Sequence, residues 1–251
     1  MKEIIAVINQ KGGVGKTTTT LAIGAGFLLR GFKVLHIDLD PQCNLSHTLK
    51  AEKDKLSTME LIEGKAKAVD IIQKTWQGNI IPASPALAGA DALITAVGKE
   101  YKLKEALNPI IENYDYILID TPPALGVLTI NALVACTGVI IPAQADTYSL
   151  QGISQLYDTI SAVRQYCNNA LEIKGILLTR YTSRAILSRD IAEVMEQTAK
   201  QINTKVFKTT IRETIAVKEA QANQQDIFSY APKNNGALDY AALVDELLER
   251  S

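Results

Sequence analysis

The chain has 251 residues, 47% of them apolar and 21% charged, which is ample material for the core of one wound α/β domain spanning residues 1–251. No apolar run approaches the roughly 20 residues of a bilayer span, and a net charge of −1 from 26 basic and 27 acidic residues excludes a global attraction to nucleic acid or membrane, leaving only local patches. Cys43, Cys136 and Cys167 lie far apart without a Cys-x-x-Cys pair, which disfavours a disulfide framework or a metal–sulfur site; the first apolar run is too short for a signal sequence, so a cytoplasmic protein is expected.

Short Val/Ile/Leu-rich runs alternate with longer stretches of helical period, the pattern of a parallel sheet buried on both faces. The first run, 4–9, opens into a glycine loop and a helix over 17–30. The second, 33–38, ends on Asp38-Leu39-Asp40-Pro41, after which a Lys- and Glu-rich segment, 51–78, reads as an exposed helical excursion. A run at 79–82 and a helix over 103–113 lead to the run 116–120, which ends on Asp120-Thr121-Pro122-Pro123. Helix 127–135 leads to run 138–142, helix 150–166 to run 173–179, and helix 188–201 to a last run at 204–207 before a closing helix over 236–250. The expected fold is α/β, a doubly wound and mostly parallel sheet with helices on both faces. Ligands of such sheets bind beyond the carboxyl ends of the strands, so the loops after residues 9, 38 and 120 should converge on one edge.

The loop Lys11-Gly12-Gly13-Val14-Gly15-Lys16-Thr17-Thr18 lies between a strand and a helix. Glycines there let successive backbone amides turn around a phosphate, and the helix points its N-terminal amides at the same place. By charge and reach, Lys16 should contact the β- and γ-phosphates and the Thr17 hydroxyl should ligate Mg²⁺. Asp120, ending an apolar run, has the Walker B form and should bind the metal through a water. Asp38 and Asp40 end a neighbouring run on the same face; Asp38 either supports the metal shell or terminates the strand.

In place of the first glycine of the usual Gly-x-x-x-x-Gly-Lys-Ser/Thr pattern stands Gln10, with Lys11 beside it. This loop resembles the deviant Walker A motif of the ParA/MinD ATPases, a branch of the P-loop NTPases. The resemblance extends through Asp38-Leu39-Asp40-Pro41-Gln42, Thr121-Pro122-Pro123 with the switch segment after it, and Tyr230-Ala231-Pro232. It implies an ATPase using ATP and Mg²⁺, with Lys11 reaching the nucleotide of a partner subunit in an ATP-bound homodimer. It also implies that Asp40 positions the attacking water near the metal and that Pro232 contacts adenine. The ParA branch further implies nonspecific duplex DNA binding, nucleoid association, and a ParB-like centromere-binding protein that stimulates hydrolysis. Arg180, Arg184, Arg189, Arg212 and Lys218 are the candidate DNA contacts. The stretch Ile211-Arg212-Glu213-Thr214 departs from the Pro-Arg-Asn of close relatives, which weakens the DNA patch more than the ATPase.

Four alternatives stay open, one of them a biosynthetic ligase using the same loop, for which no substrate pocket is legible in the sequence. A MinD-like membrane-cycling ATPase would end in a basic amphipathic helix, whereas residues 239–250 carry Asp239, Asp245, Glu246 and Glu249 against Arg250. A metal-cluster carrier of the same fold would need bridging cysteines, and Cys136 and Cys167 lack the spacing. An ATP switch regulating a mobile element, without a role in segregation, shares every motif above.

Overall fold

The computed structural model describes residues 2–182 and 186–249. A seven-stranded sheet runs in the order β3-β4-β2-β5-β1-β6-β7. The strands are β1 (Glu3–Val7), β2 (Val34–Asp38), β3 (Gln73–Thr75), β4 (Gly78–Ile81), β5 (Tyr116–Asp120), β6 (Gly138–Ala143) and β7 (Glu172–Leu178). All pairings are parallel except the β3–β4 hairpin at one edge. Between and after the strands lie α1 (Lys16–Leu29), α2 (Asn44–Thr48), α3 (Thr58–Ile62), α4 (Ala68–Ile71), α5 (Ala90–Leu93), α6 (Lys102–Leu107), α7 (Val127–Ala135), α8 (Thr147–Tyr166), α9 (Ile186–Gln201), α10 (Ile215–Ala222), α11 (Ile227–Tyr230) and α12 (Asn235–Leu248). Among the described residues no helix is long and apolar enough to cross a membrane.

Strand alternation divides the core in two. Ile4, Ala6, Ile117, Ile119, Val139 and Ile141 face the layer holding α7 and α8. Ile5, Tyr116, Leu118, Ile140 and Leu177 face α1 and α12, as a period of two requires of strands covered on both sides. On that second face α1 comes very close to the sheet: a Cβ at Gly24 would lie 2.0 Å from His36 Nε2. His36 is fully buried and neither ring nitrogen meets hydrogen-bonding geometry among the described residues. Burial pushes its pKa down to about 4, partly offset by the nearby Asn79 backbone.

Three expectations are corrected. The segment 51–78 is not an exposed excursion: Met59, Leu61, Ile62, Ala68 and Ile71 are buried in the main core, and its last residues form the antiparallel edge strand. The run 204–207 is not a full strand. It brackets β7 at one residue, with Ile176 N donating to Lys205 O and Phe207 N to Ile176 O. The next amides, Lys208 and Thr209, donate instead to the Glu246 carboxylate at 3.1 and 3.0 Å, so the chain leaves the sheet. The helix expected over 103–113 closes as α6 at Leu107, shortly before Pro109, and resumes only as a 3₁₀ turn at Ile111–Asn113.

Candidate active site

The ends of β1, β2 and β5 meet at one edge, because β2 and β1 both pair with β5. Beyond β1, Asn9 anchors the phosphate loop: its Nδ2 donates to Pro142 O at 2.7 Å and its Oδ1 accepts from Lys11 N at 2.9 Å. Gly13 and Gly15 take left-handed φ values of 74° and 92°, a conformation that costs another L-residue about 1–2 kcal/mol. No side chain caps α1, which begins at Lys16 directly after Gly15, so its first amides remain available to an anion. The loop lines a cleft of ≈ 580 Å³ together with Asp40, Gln42, Asn44 and His47, a size within the range of small-molecule sites.

Lys16 is buried, and among the described residues its ammonium hydrogen-bonds the Lys11 carbonyl alone, at 3.3 Å. Burial lowers its pKa, and the charges of Asp120 and Asp40 oppose that shift. Asp120 is fully buried; Oδ2 accepts from Thr17 Oγ1 at 2.6 Å, and Oδ1 has no partner among the described residues. Burial raises the Asp120 pKa well above the usual carboxylate range, with Asp38 and Asp40 adding to the shift. Asp40 is buried with Oδ1 held by Gln42 N at 2.9 Å. Asp120 Oδ1, buried and without a partner among the described residues, lies beside the Thr17 hydroxyl and fits a divalent cation, while Lys16 and the uncapped loop amides fit a polyphosphate, so ATP with Mg²⁺ fits the residues present.

Asp38 resolves to a structural part. Its Oδ2 accepts from Ser46 N at 2.9 Å and Ser46 Oγ at 2.7 Å, and its Oδ1 from Asp40 N at 3.0 Å. It therefore holds the loop that presents Asp40. Ser46, unflagged by any sequence motif, also accepts from Ala83 N at 2.9 Å and ties this loop to the end of β4.

Lys11 behaves unlike Lys16. Its ammonium points away from the cleft lined by its own loop and pairs with Asp146 Oδ2 at 2.6 Å. Beyond Gly15 and Thr18 a second cavity is lined by Thr179, Arg180, Ile211, Thr214, Val217 and Gln221. Thr179 Oγ1 donates to Val14 O and Gln221 Nε2 to Thr18 Oγ1, both at 2.8 Å. The buried Thr214 hydroxyl lacks a partner among the described residues. Arg180, in a left-handed conformation at φ 50°, lines both cavities. Pro232 is exposed and lines neither cavity.

Residues 2–173 match the protein family described as an AAA domain. The chain is 41% identical over 252 residues to the sporulation initiation inhibitor protein Soj of Bacillus subtilis, with 98% of both chains covered. It belongs to the ParA/MinD family of P-loop ATPases. The chromosome partitioning protein ParA of Myxococcus xanthus is 36% identical, covering 98% of this chain and 88% of its own. The crystal structure of cobyrinic acid a,c-diamide synthase from Mycobacterium smegmatis with bound ADP and magnesium superposes with a TM-score of 0.85 at 37% identity, over 99% of this chain and 95% of that one.

For a ParA/MinD ATPase, the basic residues proposed as DNA contacts are unequal. Arg212 is tied in a fork to Asp239, with Nε at 2.9 Å from Oδ2 and Nη2 at 2.6 Å from Oδ1, and its backbone amide also donates to Oδ2. This pins the wall of the second cavity to α12. Lys218 lies 3.5 Å from Glu213. Arg189, on the first turns of α9, is exposed and without a carboxylate partner among the described residues. Arg184 lies outside the described residues.

Proposed function

We propose that the protein is a ParA-type partition ATPase in which ATP binding assembles two copies across the phosphate-loop face, the pair binds duplex DNA without sequence preference, and a ParB-like partner stimulates hydrolysis and release. The observation that carries this reading is the opposed aim of the two loop lysines: Lys16 lies in its own cleft, and Lys11 is turned out of it. A second cation placed outside the cleft has a use against a triphosphate held by another copy.

Within one chain the labour divides by position. The glycine loop and the α1 amides hold the β- and γ-phosphates, and Lys16 neutralises them. Thr17 and Asp120 would hold Mg²⁺, Asp120 through a water, with Asp40 beside them. When bound, the metal offsets charge developing on the transferred phosphoryl oxygens. Asp40, fixed by Gln42 N and by the Asp38 brace, orients the attacking water. Arg180, at the junction of the two cavities, contacts the nucleotide between phosphate and base.

The likeness to Soj and ParA supports the partition reading over a membrane-cycling one, and so does α12. Its Tyr240, Leu243, Val244 and Leu247 are buried against α1 and the sheet, so its apolar face is already occupied. Nucleoid association follows from DNA binding, for which Arg189 and Lys218 are the best-placed residues. The test is retention of unrelated duplex DNA with ATP, with ADP and without nucleotide. Binding with ATP alone, falling steeply between low and physiological salt, is expected. Absence of binding at low salt with ATP contradicts the DNA part.

A further inference from the structure

The Lys11–Asp146 ion pair is not required by the nucleotide cleft, to which neither side chain belongs. Asp146 uses its two oxygens separately: Oδ1 accepts from Ser149 N at 2.9 Å and caps α8, while Oδ2 takes the Lys11 ammonium at 2.6 Å. The side chains keep 33% and 31% of their exposure, so the pair lies where a second molecule can reach it. The Lys11 backbone meanwhile is fixed, its amide by Asn9 and its carbonyl toward Lys16. Redirecting the ammonium therefore needs only side-chain rotation.

We propose that Asp146 is a positioning residue acting through Lys11: in the free chain it holds the ammonium away from any nucleotide, and assembly of two ATP-bound copies requires this pair to open in both. The inference rests on the dimer reading above. It adds a reason for discrimination between nucleotides, since a triphosphate offers the lysine more negative charge than a single carboxylate, whereas a diphosphate offers less of that advantage. A partly exposed ion pair is worth up to about fivefold in an equilibrium constant. Two pairs open per dimer, so the combined effect on the dimer dissociation constant is about 2- to 25-fold.

Asp146→Asn is the direct test, because asparagine keeps a capping oxygen for α8 and removes the charge. Sedimentation equilibrium with a non-hydrolysable ATP analogue should show the dimer Kd lowered about 2- to 25-fold. Affinity for ADP, bound to one chain alone, should stay within about twofold, and Asp146→Glu should return the dimer Kd toward wild type. An unchanged or raised dimer Kd overturns the proposal, as does an equal gain in ADP affinity, which would signify a general field effect. A wild-type dimer with no shift in the variant removes only the role of Asp146. If neither protein dimerises with the analogue, the dimer reading fails and the latch with it.

Discussion

The phosphate edge and the α10–α12 region differ in how their polar groups are satisfied, and the difference separates machinery from scaffold. At the phosphate edge, buried charges are left short of partners among the described residues: Lys16 has one carbonyl, and Asp120 Oδ1 has none. Around α12, buried carboxylates are completed within the chain, Asp239 by Arg212 and Glu246 by the amides of Lys208 and Thr209. Groups left unsatisfied in the first region cost stability that a ligand restores, whereas those in the second contribute stability directly.

Breaking each region should therefore register in a different measurement. The largest effect is expected for Lys16→Ala, which should weaken MgATP binding by at least about 100-fold, about 3 kcal/mol, in calorimetry. A smaller and purely structural loss is expected for Glu246→Ala. It leaves the Lys208 and Thr209 amides without their acceptor and should lower unfolding free energy by about 2 kcal/mol in denaturant titration, with MgATP affinity unchanged. If Glu246→Ala weakened nucleotide binding without loss of stability, the division between the regions would be wrong.

His36 sharpens the contrast, as a buried polar group belonging to neither region. Its folded pKa of about 4 lies below the usual 6.5, so the unfolded chain binds the extra proton between those values. Stability from the neutral ring is then present above pH 6.5 and is lost as pH falls toward 4. Against a His36→Gln reference, the wild type should lose about 2 kcal/mol between pH 7 and pH 5. Parallel pH profiles for the two proteins would show that the ring titrates normally in the fold.

The phosphate edge was legible in the amino-acid order because its demands are local. Left-handed glycines, a lysine and a hydroxyl must follow one another within a few residues, and Asp40 and Asp120 must stand just beyond apolar runs. The second cavity offers no such spacing. Its walls come from Val14, Thr179, Arg180, Ile211, Gln221 and Tyr240, joined only by folding, and the adenine contact expected of Pro232 rests on resemblance. Asp146-Thr147-Tyr148-Ser149 does carry the mark of a helix cap, but nothing nearby announces a partner 135 positions earlier. In residues 51–78, the charged residues obscured the few apolar positions that reach the core.

Whether this loop acts between two copies is tested most directly by light scattering of Asp40→Ala, the substitution expected to block hydrolysis, with ATP and with ADP. A mass near twice that of the 27.3 kDa chain with ATP and a single-chain mass with ADP is the predicted result. A protein that binds ATP and stays monomeric would contradict it.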